Sequence, residues 1–179
     1  MSLTSTEDPT EWAESEISLS PPKVRSIGNI LLRPSTLDDI EYFSKNLREA
    51  DKDEIQAGAG KPPYDILLRG YNSADICTTV EWKGLPLLIC GISEIEKEVG
   101  NIWMLGTEVI SKEARLAVLR MSKPMIDEFH KKWSLLFNFV DKRNTVHIKW
   151  LRWLGFKFIN LHQEFGVGKL PFYEFVRRK

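Results

Sequence analysis

The sequence has few cysteines and no long apolar stretch. Its two cysteines, Cys77 and Cys90, make neither a disulfide framework nor a zinc site, so a metal-free protein of a reducing, cytoplasmic setting is expected. No apolar run approaches the roughly 20 residues of a membrane span, and the N-terminus lacks the basic start and apolar core of a signal peptide. The 25 acidic and 25 basic residues balance, so bulk charge does not favour binding to nucleic acid.

Acidic residues are concentrated at the start of the chain. Residues 1–22 carry five acidic side chains and no basic one, among several prolines, serines and threonines. Because this composition offers little apolar surface to bury, residues 1–28 are predicted to form a flexible acidic arm, with docking through apolar residues such as Trp12 as the alternative. Residues 29–179 are predicted to form one domain. Their basic excess fits either a groove for an anionic cofactor or, more commonly, a scattered basic surface.

Hydrophobic periodicity and turn residues predict a mixture of strands and helices. Thr36 and Asp39 predict a capping box at the start of the first helix, and Pro124 should kink or split the helix at residues 111–132. The predicted strands are 29–33, 75–81, 85–91, 99–106, 135–140, 156–161 and 173–177, and the other helices are 49–57, 64–71 and 145–154. Helices that cover a mainly antiparallel sheet define an α/β protein of the α+β type.

The Lys83-Gly84 pair predicts a hairpin between two of these strands. A two-residue turn at this point would place Cys77 directly opposite Cys90. Packing of two small buried residues explains this pair better than a redox function, which is the alternative.

The most specific pattern lies at residues 144–156. Asn144 follows an apolar strand, a short amphipathic helix comes next, and Gly155-Phe156 ends that helix before a further strand. This order resembles the last βαβ unit of the GNAT acyltransferases, and the order of elements over residues 29–179 is similar to their whole fold. The resemblance implies a mixed, mainly antiparallel sheet flanked by helices, with splayed central strands and acetyl-CoA as the cofactor in the gap between them.

The resemblance also implies which residues would contact the cofactor. The pantetheine amides would pair with the backbone of the strand at 101–105, and the loop at 106–112 would face the pyrophosphate at the start of a long helix. The implied cofactor-binding residues are Trp103, Met104, Leu105, Gly106, Thr107, Ser111, Lys112 and Asn144. The tryptophans near the gap are expected to build the core rather than to stack on a ligand; they are Trp103, Trp150 and Trp153.

Several positions depart from the pattern of active GNAT enzymes. Leu151 stands where the family has a tyrosine that protonates the leaving thiolate, and leucine has no acidic proton. The loop at 106–112 has a single glycine, Gly106, where the family has several, and Glu108 would repel a phosphate. No catalytic residue is assigned, because the general-base candidates rest on position alone. These candidates are Glu81, Glu94, His130 and His147, and a structural or surface histidine explains His147 better.

A second resemblance is carried by four segments, at 46–54, 103–107, 140–156 and 168–175. Together they resemble the internal virion (core) proteins of short-tailed phages, a family with a GNAT-like fold. This resemblance implies a phage protein, located in the host cytoplasm during infection or in the virion, with a phage structural protein or a host protein as its partner. In the first segment, Arg48–Asp51 fits an ion-paired helix end better than a separate ligand site.

Three functions follow as hypotheses. The first is a catalytically degenerate phage protein that acts in virion assembly, which the missing tyrosine and the poor phosphate loop favour. The second is an active acetyl-CoA-dependent N-acetyltransferase, which the complete order of elements and Asn144 favour. The third is a regulatory protein that binds a host component, for which the acidic arm is the only indication. Side chains that filled the gap between the splayed strands would argue against the second hypothesis.

Overall fold

The structure is a computed structural model that describes residues 24–27, 29–108 and 111–179. Its described part contains eight strands and five helices, which follow the predicted order with one additional strand at the start. In chain order they are β1 (Arg25–Ile27), β2 (Ile30–Pro34), α1 (Leu37–Asn46), α2 (Glu49–Ala59), α3 (Pro63–Ser73), β3 (Ile76–Trp82), β4 (Leu85–Glu96), β5 (Val99–Gly106), α4 (Lys112–Phe129), β6 (Leu135–Asp141), α5 (Thr145–Trp153), β7 (Lys157–Phe165) and β8 (Leu170–Arg178).

The strands form one sheet in the order β1-β2-β3-β4-β5-β6-β8-β7. Neighbouring strands are antiparallel except β5 and β6, which run parallel. α1 and α3 cover one face of the sheet through a cluster that contains Phe43 and Leu67. α4 and α5 cover the other face through a cluster that contains Ile126 and Leu151. The predicted mixed, mainly antiparallel sheet flanked by helices is therefore confirmed.

Local sequence determines the helix ends. Thr36 Oγ1 accepts a hydrogen bond of 3.4 Å from the Asp39 N–H, and the Asp39 carboxylate accepts one of 2.8 Å from the Thr36 N–H. This confirms the capping box at the start of α1. Gly60 after α2 and Gly155 after α5 have φ angles of +61° and +88°, a left-handed conformation that glycine adopts without a steric penalty.

The hairpin of β3 and β4 has a register that differs from the predicted one. Cys77 lies opposite Gly91 and Cys90 lies opposite Thr78, because a bulge between Val80 and Glu81 shifts the pairing by one residue. A shift of one residue directs the two cysteine side chains to opposite faces of the sheet. The predicted opposition of the thiols is therefore wrong, and both cysteines are free.

Helix α4 continues through Pro124 without a break. The proline removes one helix hydrogen bond, but Met121 and Ile126 on either side of it are buried against the sheet. The helix does not split at Pro124, so that alternative of the prediction is wrong, and the kink stays a prediction. The helix ends at Phe129, three residues before the predicted end.

Most of the predicted acidic arm lies outside the described residues, since the description begins at residue 24. Near the end of that segment, Arg25–Ile27 forms β1 and pairs with β2. Among the helices that the structure describes, none is both long and apolar enough to cross a membrane.

Candidate functional site

The gap between β5 and β6 is the main opening in the sheet. The two strands pair from Val99↔Leu135 to Asn101↔Phe137, and beyond this point they diverge. Asn138 Nδ2 donates a hydrogen bond of 2.7 Å to the Ile102 carbonyl, which bridges the strands where their backbone pairing ends. The splayed central strands implied by the sequence are therefore present.

A cavity of about 530 Å³ passes through the sheet at this gap, and we call it the through-sheet cavity. Leu67 and Trp103 line it on the face covered by α1 and α3, and Trp150 and Leu151 line it on the opposite face. The two tryptophans therefore form walls of the gap and do not fill it. Space for a ligand remains between the splayed strands.

A second depression, of about 380 Å³, lies between α4 and α5, and we call it the α4–α5 groove. Its floor is mostly apolar, and three basic side chains line it: Arg48, Arg115 and Lys149. Three residues line both the groove and the through-sheet cavity: Met104, His147 and Trp150. We call these three residues the neck, because they lie where the two spaces meet. The groove and the cavity are therefore adjacent, with these three side chains between them.

Asp51 on α2 occupies the β5 side of the gap. Its Oδ2 accepts a hydrogen bond of 2.8 Å from the Gly106 N–H, and the Arg48 N–H donates to the Gly106 carbonyl over 2.9 Å. The Arg48 guanidinium binds both carboxylate oxygens of Asp51, at 2.7 Å and 3.0 Å, which confirms the ion-paired helix end. Burial raises the pKa of Asp51 in spite of this neighbouring charge. Both polar groups of Gly106 are thus bonded within the protein.

Met104 is the residue of β5 whose backbone hydrogen-bonding groups remain available to a ligand at the edge that faces the gap. Alternate residues of a strand direct their peptide groups to the same edge, so Met104 shares this edge of β5 with Ile102 and Gly106. The Ile102 carbonyl binds Asn138, and Gly106 binds α2. In the described part of β5, a ligand amide would therefore find a partner at Met104 rather than along the whole strand.

Glu54 occupies the β6 side of the gap, one helical turn after Asp51. Its Oε2 accepts a hydrogen bond of 2.9 Å from Asn144 Nδ2, and Asn144 lies three residues after the end of β6. Burial raises the pKa of Glu54 to about 7, and the charges of Asp51 and Asp141 add to the effect. Since Glu54 lines the through-sheet cavity, the cavity contains a carboxyl group that exchanges its proton near neutral pH.

Asn144 connects Glu54 to α5. Its Oδ1 accepts a hydrogen bond of 3.3 Å from the His147 N–H as the N-cap of that helix, while its Nδ2 donates to Glu54. His147 is buried at the neck, and burial together with the Arg48 charge lowers its pKa to about 3. The imidazole is therefore neutral at neutral pH, which agrees with a structural histidine.

Two described polar groups of the loop after β5 form hydrogen bonds within the protein. The Thr107 N–H donates to the Leu87 carbonyl over 2.9 Å, and Ser111 Oγ accepts from the Ala114 N–H over 3.2 Å as the N-cap of α4. Lys112 is exposed in the first turn of α4 and is not among the residues that line the groove.

Glu108 is directed towards α2. Its Oε1 accepts a hydrogen bond of 3.0 Å from the Glu49 N–H, in the first turn of that helix. A carboxylate is favourable at a helix N-terminus, where the backbone N–H groups carry partial positive charge. Glu108 therefore caps α2.

The other implied cofactor residues of β5 divide between the two faces of the sheet. Trp103 and Leu105 face α1 and α3, and Trp103 packs across Gly91 of β4. Met104 faces α4. Of the eight implied residues, three line the through-sheet cavity: Trp103, Met104 and Leu105. The remaining five are not among the residues that line it.

Trp153 does not belong to the core. It lies at the end of α5 with 55% of its surface exposed, and it lines the α4–α5 groove. The expectation that it helps to build the core is therefore wrong. Trp150, one turn earlier, is half-buried and packs against the core cluster of α4 and α5, as expected.

Two of the four candidate bases line the through-sheet cavity. They are Glu94 and His147, and Glu94 pairs with Lys132 at 3.1 Å. The other two, Glu81 and His130, are not among the residues that line it. Leu151, at the position where the resemblance implies a tyrosine, is buried and lines the cavity.

The sequence reasoning did not identify Glu54 as a group of the site. The available signal was the spacing of Asp51 and Glu54, three residues apart and so on one side of α2. In a helix with so few apolar residues, that side looks like a solvated surface. It instead faces the gap in the sheet.

Solved structures with the same fold are acetyltransferases of the GNAT type. A GNAT-family acetyltransferase from Bacillus anthracis matches 87% of this chain and 98% of its own, with 10% identity and a TM-score of 0.66. YncA from Salmonella typhimurium, solved with acetyl-CoA, matches 84% and 94%, with 10% identity and a TM-score of 0.65. RimL, a ribosomal L7/L12 N-acetyltransferase in complex with coenzyme A, matches 87% and 98%, with 8% identity and a TM-score of 0.66.

These similarities establish that the chain has the GNAT fold. No family model matches the sequence, and no curated protein matches it. In the part of the chain that the structure describes, no group of three or more histidine, cysteine, aspartate or glutamate side chains could hold a metal ion. The groove and the cavity together present the mixture of basic and apolar side chains that an anionic thioester such as acetyl-CoA would contact.

Proposed function

We propose that this protein is an acyl-CoA-dependent N-acyltransferase with a reduced set of catalytic groups. The observation that carries the proposal is the through-sheet cavity at the splayed strands, which lies beside the α4–α5 groove and shares three lining residues with it. A cavity with walls on both faces of the sheet suits a reaction in which two substrates approach each other from opposite faces. Protein interiors are otherwise close-packed, so a space of this size favours a ligand-binding function.

The chain would contribute positioning and proton transfer. Acetyl-CoA, when bound, would supply the acyl group as a thioester. The Met104 N–H at the edge of β5 is suited to hydrogen-bond a carbonyl oxygen. Glu54, with a pKa of about 7, can accept the proton that an attacking amine releases in the cavity. Because Leu151 donates no proton, much of the acceleration would come from holding the two reactants together.

Calorimetry and a thiol-release assay test this proposal. We expect acetyl-CoA to bind the purified protein with a micromolar Kd, and free CoA thiol to appear faster when a panel of primary amines and peptides is added. The rate without an amine is the control for simple hydrolysis. The absence of heat at millimolar acetyl-CoA would overturn the proposal.

A second candidate is a GNAT-fold phage protein that acts in virion assembly without catalysis. The bonds of Gly106 to Asp51 and Arg48 favour it, since they use backbone groups that pantetheine would need. The resemblance of the four segments to internal virion proteins supports a phage structural protein as partner and a location in the host cytoplasm or the particle. Quantitative proteomics of purified virions of the phage that encodes the protein tests this candidate. A fixed copy number of the protein per virion supports it, and absence of the protein from virions contradicts it.

A further inference from the structure

The loop after β5 has few described groups left for a phosphate. The Gly106 N–H binds Asp51, the Thr107 N–H binds the Leu87 carbonyl, and the Ser111 hydroxyl caps α4. The Glu108 carboxylate lies beside this loop at the start of α2. At these groups a negatively charged ligand would find committed donors and a like charge, and Lys112 is the one cation among the described residues of the loop.

The α4–α5 groove has the opposite character. Its basic residues come from three different elements: Arg48 precedes α2, Arg115 belongs to α4 and Lys149 to α5. None of the described residues that line the groove is acidic. Arg48 is paired with Asp51, but Arg115 and Lys149 are exposed, and neither takes part in an ion pair within the described chain. The groove thus offers two unpaired positive charges on facing helices.

The same groove carries an exposed aromatic ring. Trp153, on the same side of α5 as Lys149, presents over half of its surface to solvent. Exposed tryptophan faces provide stacking surfaces for flat rings such as nucleobases. Cations beside a stacking surface, with an apolar neck beyond them, match a ligand with a nucleotide phosphate end and a long uncharged arm.

We propose that Arg115 and Lys149 bind the phosphate groups of an acyl-CoA while Trp153 stacks on its adenine. Side chains of the groove would thereby take over a binding function for which the described donors Gly106 N–H, Thr107 N–H and Ser111 Oγ are already committed. This inference rests on the proposed acyltransferase function. It concerns the nucleotide end of the ligand, whereas the proposed function concerns the thioester end.

The test compares two double variants that remove the same charge. Arg115→Gln with Lys149→Gln changes the groove, whereas Arg120→Gln with Lys123→Gln changes two exposed α4 residues that do not line it. We expect the groove variant to bind acetyl-CoA at least tenfold more weakly than the control variant. Its Kd should also depend less steeply on salt, because fewer charges remain to be screened. Acetyl-pantetheine, which lacks the nucleotide, should bind both variants equally.

The outcomes separate this inference from the proposed function. If acetyl-CoA binds the wild type and both double variants equally, the inference is wrong and the proposed function stands. If acetyl-CoA does not bind the wild type, adenosine 3′,5′-bisphosphate is titrated instead. If the wild type binds adenosine 3′,5′-bisphosphate and the groove variant does not, the result supports a nucleotide-phosphate site without acyl transfer. If the wild type does not bind this nucleotide either, the inference is overturned together with the proposed function. Trp153→Leu provides an independent measurement, since it should weaken nucleotide binding but leave the salt dependence unchanged.

Discussion

Asp51 Oδ2 accepts a hydrogen bond of 2.8 Å from the Gly106 N–H, and this contact joins α2 to β5. Glu54 joins the same helix to Asn144, three residues after the end of β6. Two carboxylates of one polar helix thus bind β5 and the segment that follows β6. These bonds help to explain how the gap stays open without a ligand, since α2 takes up hydrogen-bonding groups at its two borders.

Removal of the Asp51 carboxylate should destabilise the protein strongly. Asp51→Ala leaves the Arg48 guanidinium partly buried without its partner, which typically costs about 3–5 kcal/mol. Urea unfolding measures the loss. Glu49→Gln is the control, because the Glu49–Lys52 pair is exposed and its loss should cost at most about 0.5 kcal/mol. Similar losses for the two variants would show that Asp51 does not hold the gap.

The pH dependence of stability should reveal Glu54 and His147 as opposing groups. Glu54 has a pKa of about 7 in the fold against 4.5 in the unfolded chain, so its contribution to stability is present at low pH and is lost as the pH rises through 7. His147 has a pKa of about 3 against 6.5, so its contribution is present above pH 6.5 and is lost on acidification. Between pH 6.5 and 4.5 the two contributions of the wild type should largely cancel.

Glu54→Gln tests this cancellation. The variant keeps His147 but lacks the opposing carboxyl, so its free energy of unfolding should fall on acidification below pH 6.5 by up to about 1.4 kcal/mol per pH unit. Urea unfolding at a series of pH values measures the slope. Wild-type and variant curves that run parallel would contradict the raised pKa of Glu54.

Leu151→Tyr should raise the rate of acyl transfer if the proposed function is correct. The position lines the through-sheet cavity, so a phenol there can donate a proton to the leaving thiolate, an effect worth roughly 10²-fold. Leu151→Phe has nearly the same size without the hydroxyl and is the control for the steric change. Thiol release under saturating acetyl-CoA is the measurement. Equal rates for the two variants would show that proton donation does not limit the reaction.

Gly91→Ala should disturb the wall of the cavity. An added Cβ would lie 2.5 Å from the indole of Trp103, so the ring must move, with an expected loss of roughly 1–3 kcal/mol. Thermal unfolding and tryptophan fluorescence measure the effect. Gly58→Ala in α2 is the control, since the added Cβ would lie 4.0 Å from the nearest atom, Cζ of Phe172. This variant should be as stable as the wild type or slightly more stable, because alanine favours a helix over glycine.

The order of elements could be predicted from sequence because it depends on local signals. Asn144 caps α5 and Gly155 ends it in the conformation that the pattern predicts. The residue opposite Cys77 in the hairpin could not be predicted, because the bulge between Val80 and Glu81 depends on how β3 packs against its neighbours. The functions of Asp51 and Glu54 were also hidden, since charged residues on a polar helix look solvated until the rest of the fold places them beside a gap.

The two bonds from α2 to the borders of the gap alter which substitutions this helix should tolerate. A polar surface helix normally accepts exchange at most of its charged positions, because water replaces whatever a side chain loses. Asp51, however, is buried and accepts the hydrogen bond of a β5 N–H, and Glu54 binds Asn144, the side chain that caps α5. Related sequences with the same gap should therefore vary freely at exposed α2 positions such as Asp53 and Gln56. They should retain acidic residues at positions 51 and 54 as consistently as they retain the apolar residues of the core.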